Sequence, residues 1–362
     1  MLDKLRNVLI WLPAYLKQSS GRGEGSPKHL YFAICDHFEP YNNRADSATA
    51  CKRIKKWLDF YPEIVAGTLD SCGNLLPYSF FYPVEEYGET EMKMLASLCH
   101  GGFGEVEIHL HHDNDTSENL RRTLLDFKKR LHEKHGLLCR DKESGAVSYG
   151  FIHGNWALCN SRRDGRWCGV NNELTILQET GCYADFTLPS APSETQTSKI
   201  NSIYYATDHP DQSRSHDSGI NAQVGRKREG LLMVQGPLGL NWQRRKYGIL
   251  PRIENGGIYP GTPVTRDRVA CWLKERISVE GCGDLIFVKL YNHGAFEEMS
   301  SQFLERGGLA TLLKLVKDAC GEEAMKLHFV TARQMVNVIH GIENGGSAED
   351  DLRDFRYTTT FS

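Results

Sequence analysis

The stretch GEVEIHLHHDND, residues 104–115, predicts a buried strand that runs directly into a cluster of metal-binding side chains. Three imidazoles and two carboxylates fall within seven residues there, and such a group is costly to place at a strand end without a ligand. His109 and His111 share one face because side chains alternate along a strand. Asp115 lies four residues beyond His111, where a turn can return its carboxylate to the same ion. The alternative is a set of surface histidines beside a helix-capping aspartate.

Segments on both sides of this stretch alternate between two periodicities. Short apolar runs predict strands, and apolar residues three or four positions apart predict helices. The predicted strands are 29–35, 77–83, 106–110, 149–152, 182–188, 284–290 and 327–331, and the predicted helices are 45–67, 89–100, 116–136, 172–180, 308–319 and 332–342. Strands that alternate with helices form parallel sheets, so the fold class is α/β.

Polar residues follow several predicted strands, at the ends where parallel α/β folds place their active sites. They are Asp36 and His37, His109 to Asp115, His153 and Asn155, Asp185, and His293. Each has an ordinary alternative, because a carboxylate such as Asp36 can cap a helix or turn and a histidine can lie in a loop; Glu39 could likewise be a solvated loop residue. His153 and Trp156 form either a packed pair or a wall that faces a sugar. The ring as a whole favours an active site, in which His293 could act as a general acid.

The remaining segments extend one large unit. Residues 1–27 predict an amphipathic helix and a linker, 28–342 the main α/β unit, and 343–362 a polar, poorly ordered tail. The span 190–265 breaks the alternation and predicts loops with a small insertion, including one strand-like run, over one end of the main unit. One core with insertions is compatible with 362 residues.

Composition excludes several classes of protein. The net charge of -3 and the lack of a basic run argue against a nucleic-acid partner. Eleven cysteines without a CxxC pair favour reduced thiols in the cytoplasm over a disulfide framework or a thiolate zinc site. No apolar segment is long enough to span a bilayer. The leucine stripe from Leu2 to Leu16 lies either against the protein or on the inner face of a membrane.

Five segments carry a family resemblance: CDHFEP (35–40), GEVEIHLHHDND (104–115), GFIHGNWAL (150–158), YADFTLPSAP (183–192) and FVKLYNHGA (287–295). In this order they resemble the polysaccharide deacetylases, carbohydrate esterases of the glycoside hydrolase/deacetylase superfamily. The resemblance covers roughly residues 28–342 and is nearest to deacetylase-like proteins of bacterial exopolysaccharide loci. It implies a distorted (β/α) barrel of about seven parallel strands. It also implies one divalent metal ion, for which we expect zinc.

The resemblance also implies roles for single residues. The family's first motif is a pair of acids, a catalytic base and a metal ligand, and the matching pair here is Asp36 and His37. Histidine has replaced the second acid but can still bind a metal. The second motif supplies two metal ligands and matches His111 and Asp115. His109 then becomes a further ligand or a neighbour of the ligands.

Two later motifs complete the comparison. The family's leucine-x-x-histidine motif supplies the general acid and matches Leu290 to His293. Its arginine-proline motif is not visible, and GFIHGNWAL stands in that place. The residues expected to contact the sugar are His153, Asn155, Trp156 and Asp185.

We therefore expect a metal-dependent hydrolase that removes N-linked or O-linked acetyl groups from a carbohydrate in bacterial cell-surface or exopolysaccharide metabolism. Two alternatives remain open. One is a metal-dependent glycosidase of the same superfamily, in which Asp185 would be the nucleophile. The other is a non-catalytic carbohydrate-binding component of a polysaccharide assembly complex.

Overall fold

The computed structural model describes residues 2–20, 26–209 and 211–359. Its helices are α1 (Leu2–Ser20), α2 (Ser47–Ala66), α3 (Glu89–Leu98), α4 (Ser117–His135), α5 (Glu173–Thr180), α6 (Arg266–Lys274), α7 (Glu297–Ser300), α8 (Gly308–Glu322) and α9 (Ala332–Glu343). Its strands are β1 (His29–His37), β2 (Tyr78–Pro83), β3 (Gly104–Leu110), β4 (Cys139–Asp141), β5 (Val147–His153), β6 (Cys182–Asp185), β7 (Ile203–Ala206), β8 (Ile220–Asn221), β9 (Leu231–Val234), β10 (Gly239–Lys246), β11 (Leu250–Glu254), β12 (Leu285–Asn292), β13 (Lys326–Phe329) and β14 (Tyr357–Thr359).

One large, mostly parallel sheet organises these elements, in the order β12-β1-β2-β3-β5-β6-β9-β7-β8. β1 pairs with β12 on one side, and on the other side first with β13 and then with β2. The strands from β12 to β9 run parallel, whereas β7 and β8 are antiparallel additions. β4 and β14 add a second antiparallel extension beside β5, and β10 and β11 form a separate hairpin. The predicted α/β class with a parallel sheet is confirmed.

The two faces of the sheet pack against different layers. Along β1, Phe32 and Ile34 point into an apolar cluster that also contains Trp57 of α2. Ala33 and Cys35 point the other way, into a cluster that contains much of α9. A strand that is buried on both faces reads as a continuous apolar run, which is why β1 was recognisable from sequence.

The boundaries of α4 follow from its caps. The side chain of Thr116 accepts a hydrogen bond from the backbone N–H of Asn119, and Gly136 adopts a left-handed conformation with φ of 63°. A hydroxyl at the N-cap satisfies an otherwise unpaired N–H, and glycine enters the left-handed region without steric cost. The predicted start near residue 116 and end near 136 are confirmed.

Two segments differ from their predictions. The tail 343–362 is not a loose polar end, because Tyr357–Thr359 pairs with β4 and the side chains of Leu352 and Tyr357 are buried. Residues 360–362 lie outside the described part. The span 190–265 contains β7 to β11 rather than one strand-like run, and its β9 joins the parallel sheet beside β6. β14 pairs with a strand more than 200 residues away, and the strands of the inserted span pair mainly with one another, so in both segments strand pairing compensates for weak local patterns.

Helix α1 packs on this inserted region. Trp11 and Tyr15 are buried in a small cluster with Ala191, Ile200 and Leu238, while Leu9 of the predicted stripe is 58% exposed. Trp11 and Tyr15 form the centre of the packing face, Leu12 packs beside them half-buried, and Leu9 and Leu16 are largely exposed. Helix α1 continues to Ser20, and residues 21–25 of the predicted linker are outside the described ranges. None of the described helices combines the length and apolar content needed to cross a bilayer.

A buried ion pair fixes α9 to the sheet. The guanidinium of Arg333 bonds both carboxylate oxygens of Glu105 in β3, with Nη2 to Oε1 at 2.7 Å and Nε to Oε2 at 3.0 Å. The side chains are 3% and 11% exposed. Bidentate geometry makes this contact stronger than a single charged hydrogen bond, and its loss would leave a buried charge unpaired.

Arg333→Ala should lower the free energy of unfolding by about 3–5 kcal/mol, because it leaves Glu105 uncompensated. Chemical denaturation measures the change. The matched control is Arg121→Ala, which breaks the exposed pair with Glu179 and should cost less than about 1 kcal/mol. Equal losses in the two variants would contradict an anchoring role for Arg333.

Candidate functional site

Parallel strands bring the predicted site residues to one edge of the sheet. β1 ends in Asp36 and His37, β5 ends in His153, and His111 and His293 directly follow β3 and β12. These strands run in the same direction, so their carboxyl ends meet at this edge. Parallel α/β folds place their binding sites there.

Four imidazoles converge at this edge around one carboxylate. We call them the Glu39 cluster: His37, Glu39, His109, His111 and His293. Oε1 of Glu39 lies 3.3 Å from Nε2 of His109 and 3.8 Å from the Nε2 atoms of His111 and His293. The ring centroid of His37 lies 4.7 Å from that of His109 and 4.9 Å from that of His293. Side chains from three distant parts of the chain therefore share one small volume.

Hydrogen bonds on the far side of two rings orient their nitrogens. Nδ1 of His109 lies 3.0 Å from the carbonyl oxygen of Ile152, and because a carbonyl only accepts, this nitrogen carries the proton. Nδ1 of His111 likewise donates to the carboxylate of Glu85. In the neutral rings, both Nε2 atoms then present lone pairs towards Glu39. Metal-binding histidines are oriented in this way by carbonyl and carboxylate partners.

Burial and neighbouring groups set the charges in the cluster. Burial lowers the pKa of His37 well below its ordinary value, and burial also lowers the pKa of His293. Burial would raise the pKa of Glu39, but its contacts with the surrounding histidines outweigh this and lower it. Burial opposes protonation of His111, whereas Glu85 favours it and leaves the pKa raised. The cluster thus holds an ionised carboxylate among imidazoles.

The donor set fits a divalent cation. Two overlapping groups could hold an ion: Glu39 with His109 and His111, and Glu39 with His37 and His293. Among the described residues, neither Nδ1 of His37 nor Nε2 of His109 has a hydrogen-bond partner, although both atoms are buried. Unpaired buried polar atoms are costly, and a cation would provide them with a partner. The prediction that side chains able to hold a metal ion lie at this edge of the sheet is confirmed.

The cluster is open to solvent on one side. The side chains of His111 and His293 are 30% and 19% exposed, whereas that of His109 is completely buried. The half-buried ring of Trp156 lies 5.9 Å from that of His37. Its Nε1 is buried and has no partner in the part of the chain described. Asn155 is half-buried beside it. A small molecule at this opening would meet an indole and two imidazoles.

Asp36 faces away from His37, as alternation along β1 requires. Its Oδ1 accepts the backbone N–H of Gly294 at 2.7 Å, and Trp57 Nε1 donates to the carbonyl of Gly294 at 3.1 Å. A Cβ on Gly294 would lie 2.1 Å from Oδ2 of Asp36, so the close approach requires glycine. Burial raises the pKa of Asp36 to about 7. Asp36 therefore holds the loop that carries His293, and its role as a base stays a prediction.

A second group lies beside the first and below the surface. We call it the Glu173 cluster: His112, His153, Cys168 and Glu173. Asp115 contacts this cluster, because its Oδ2 lies 3.0 Å from Nδ1 of His112. The structure thus brings Asp115 to His112 and not to His111, its predicted partner. It also buries His153 completely, so this ring lines no sugar-facing wall.

Asp185 is outside both clusters. Its two oxygens accept hydrogen bonds from the backbone N–H and the hydroxyl of Thr187, at 3.0 and 2.7 Å. Burial raises its pKa to about 7, and the residue is 1% exposed. These contacts assign Asp185 to the interior of the sheet rather than to the opening.

The sequence indicates Glu39 only as a loop residue, and it does not indicate three further residues of the two clusters and their partners: Glu85, Cys168 and Glu173. A weak signal existed for Glu39, which follows the last residue of β1, His37, by two positions and therefore lies at the strand end that carries the site. The others carried no signal. They lie in a turn after β2, in a loop and at the first position of α5, and their distance to the histidines depends on the whole fold.

Comparison of the chain with protein-family models and with curated proteins gives no match. The resemblance to polysaccharide deacetylases therefore rests on the five quoted segments. The geometry of the two clusters is the remaining basis for a function.

Proposed function

We propose that the protein is a metal-dependent hydrolase that removes acetyl groups from a carbohydrate. The observation that carries this proposal is the Glu39 cluster, in which oriented Nε2 atoms of His109 and His111 face a carboxylate at an opening to solvent. Two histidines, one carboxylate and an open position form a known ligand set of catalytic zinc. The order of the five segments that resemble deacetylases supports the choice of substrate.

Glu39, His109 and His111 would hold the ion, with the ring of His37 beside them. We expect zinc, which accepts this mixture of imidazole and carboxylate. When bound, a divalent cation supplies Lewis-acid chemistry of the kind that promotes hydrolysis. Glu85 keeps the proton of His111 on Nδ1 and so keeps its Nε2 free to bind.

His293 transfers the proton in this proposal. Its imidazole stands at the opening, with Nε2 3.8 Å from Glu39. A neutral imidazole can accept a proton from the attacking water and return it to the leaving amine or alcohol. The acetyl carbon gains a bond to the water oxygen and loses its bond to the sugar nitrogen or oxygen. Asp36 contributes by holding the loop of His293 through Gly294.

Trp156 and Asn155 would bind the sugar. Trp156 adopts a left-handed conformation with φ of 55°, which is costly for a residue other than glycine and recurs at binding sites. An indole covers the apolar face of a pyranose well. The sugar would pack on Trp156 with its acetyl group directed towards Glu39.

We also propose that the sheet curves into the distorted (β/α) barrel expected from the resemblance. Nζ of Lys289 in β12 donates to the carbonyls of Phe186 and Leu188, which follow β6, at 2.6 and 2.7 Å. Four strands separate β12 from β6 along the sheet. A contact across that many strands requires strong curvature, which supports closure towards a barrel.

Acetyl hydrolysis is favoured over glycoside cleavage because Asp185, the expected nucleophile of a glycosidase, is engaged by Thr187 and buried. All eleven cysteines are free thiols. This supports a reducing compartment, and we propose the cytoplasm.

Metal removal with EDTA should abolish acetate release from N-acetylated or O-acetylated oligosaccharides, and added zinc should restore it. Glu39→Gln should lower turnover by about 100-fold or more, because it removes the central ligand charge. The matched control is Glu179→Gln, a change in an exposed ion pair, and it should leave turnover unchanged.

Acetate release that survives complete metal removal would refute the metal-dependent mechanism. Release of reducing ends in place of acetate would assign the site to a glycosidase. Loss of activity in both glutamate variants would show that the Glu39 result reflects general instability.

Asp36→Asn and Asp36→Ala distinguish positioning from catalysis. The amide oxygen of asparagine can still accept the N–H of Gly294, so this variant should keep most of its turnover. Alanine leaves that N–H unpaired at a cost of about 1–3 kcal/mol, and kcat/KM should fall about tenfold or more. A general base would lose turnover in both variants, and that outcome would restore the catalytic role of Asp36.

A further inference from the structure

We propose that the Glu173 cluster is a second metal site, closed to solvent, that holds a structural zinc ion. One ligand atom from each of His112, His153, Cys168 and Glu173 lies within 4.8 Å of all the others. Two imidazoles, a thiolate and a carboxylate are zinc ligands, and four protein ligands leave no open position. The proposal is independent of the activity assigned to the Glu39 cluster.

The spacing of the ligand atoms suits a tetrahedral ion. Zinc–nitrogen bonds of about 2.0–2.1 Å place neighbouring ligand atoms about 3.3–3.4 Å apart. Nε2 of His112 lies 3.0 Å from Nε2 of His153 and 3.2 Å from Oε1 of Glu173. Sγ of Cys168 lies 3.3 Å from Oε2, the other oxygen of the Glu173 carboxylate. Small outward shifts would make room for the ion.

The protons of the metal-free cluster conflict. The N–H of Ala157 points at Nδ1 of His153 across 3.3 Å, which places the proton of neutral His153 on Nε2. If Nε2 of His112 also carries a proton, the N–H groups of His112 and His153 face each other. If Nε2 of His112 carries no proton, the lone pair of that nitrogen faces the buried carboxylate of Glu173. Either arrangement leaves one repulsive contact where the dielectric is low.

A divalent ion would replace the protons between His112, His153 and Glu173. The proton of His153 would then lie on Nδ1 and face the N–H of Ala157, a long contact of 3.3 Å that a small rotation of the ring can relax. A doubly protonated His112 would also require the proton of His153 to lie on Nδ1. Metal analysis distinguishes a cluster that holds this extra proton from one that holds a metal ion.

The surroundings also resemble those of a structural site. Oδ2 of Asp115 bonds Nδ1 of His112 at 3.0 Å and so directs Nε2 into the cluster. The backbone N–H of Cys159 donates to Oε2 of Glu173 at 2.6 Å. His153 and Glu173 are completely buried. The Glu39 cluster, in contrast, is open through two partly exposed histidines.

An ion in this place would join four separate segments: the end of β3, the end of β5, the loop before α5 and the first residue of α5. The loop already contacts the β3 end, because the N–H of Asp115 donates to the carbonyl of Cys168 at 2.9 Å and the N–H of Trp167 donates to Asp113 at 2.6 Å. Zinc would fix this loop against the segment that carries His111.

Cobalt titration of metal-free protein tests the proposal without relying on activity. A thiolate ligand gives Co²⁺ an intense sulfur-to-metal charge-transfer band, which the Glu39 cluster cannot produce because it contains no cysteine. We expect the band in the wild-type protein and in Glu39→Gln, and we expect it to disappear in Cys168→Ala. Cys320→Ala removes another buried thiol and is the matched control.

Metal content should agree with the spectra. Purified wild-type protein should contain one equivalent of zinc more than Cys168→Ala, and zinc should raise the melting temperature of the wild-type protein and of Glu39→Gln. A wild-type protein that gives no charge-transfer band with Co²⁺ would overturn the proposal, as would a band that persists in Cys168→Ala. Failure of acetate release with the band intact would affect only the proposed function.

A separate observation concerns the β10–β11 hairpin, and from it we infer a docking surface for anionic lipid. Four large apolar side chains stand exposed around its turn: Trp242, Tyr247, Ile249 and Leu250, which are 54%, 82%, 74% and 58% exposed. Contiguous exposed apolar groups mark interaction sites. The hairpin forms its own two-stranded sheet, so its turn is not covered by the main sheet.

The positive charge of the hairpin indicates which kind of partner it binds. The segment WQRRKYGILPR, residues 242–252, contains four cationic side chains and no acidic one. Cations interleaved with apolar side chains suit a membrane of anionic lipids, in which the cations meet headgroups and the apolar groups enter the acyl boundary. Aliphatic Ile249 and Leu250 favour lipid over nucleic acid, which binds through stacked aromatic rings.

Vesicle sedimentation tests this surface. The protein should sediment with vesicles that contain phosphatidylglycerol, less so at high salt, and not with phosphatidylcholine alone. The triple variant Tyr247→Ser, Ile249→Ser, Leu250→Ser should lose binding, whereas Ile220→Ser, which alters another residue that is 60% exposed, should retain it. Absence of binding to anionic vesicles, equal binding to neutral ones, or equal loss in both variants would overturn the inference.

Discussion

The hydrogen bond from Nδ1 of His109 to the carbonyl of Ile152 is the contact on which the open site depends. It joins the side chain of one strand to the backbone of the next, so the orientation of the ring is set by the sheet itself. Because this bond occupies Nδ1, the lone pair on Nε2 must face Glu39. The sheet pairing thus fixes a chemical property, the position of a proton, and not only the location of a residue.

The alternation of side chains explains both the success and the failure of sequence reasoning at the site. Within the extended strand β3, the alternation of side chains correctly places His109 on the face that points into the Glu39 cluster. Beyond Leu110 the strand ends, and Asn114 takes a left-handed φ of 49°. Spacing no longer decides direction there, so the adjacent His111 and His112 enter different clusters and Asp115 follows the second.

The same limit applies to the fold. Long strands that are buried on both faces, such as β1, are readable from their apolar runs, as are helices with clear caps such as α4. Short strands such as β8 and β14 gain their conformation from their partner strands, β7 and the distant β4, and have no local pattern that predicts a strand. Glu85 and Glu173 are comparable cases at the site, because only the assembled sheet brings them beside a histidine.

The Arg333–Glu105 pair spans 228 residues of sequence and has a consequence for biosynthesis. At about 5–20 residues per second, a ribosome needs roughly 10–50 s to deliver the arginine after the glutamate has emerged. Throughout that interval one face of the growing sheet lacks the helix that will cover it. During that interval its apolar side chains are exposed to chaperones and to other nascent chains.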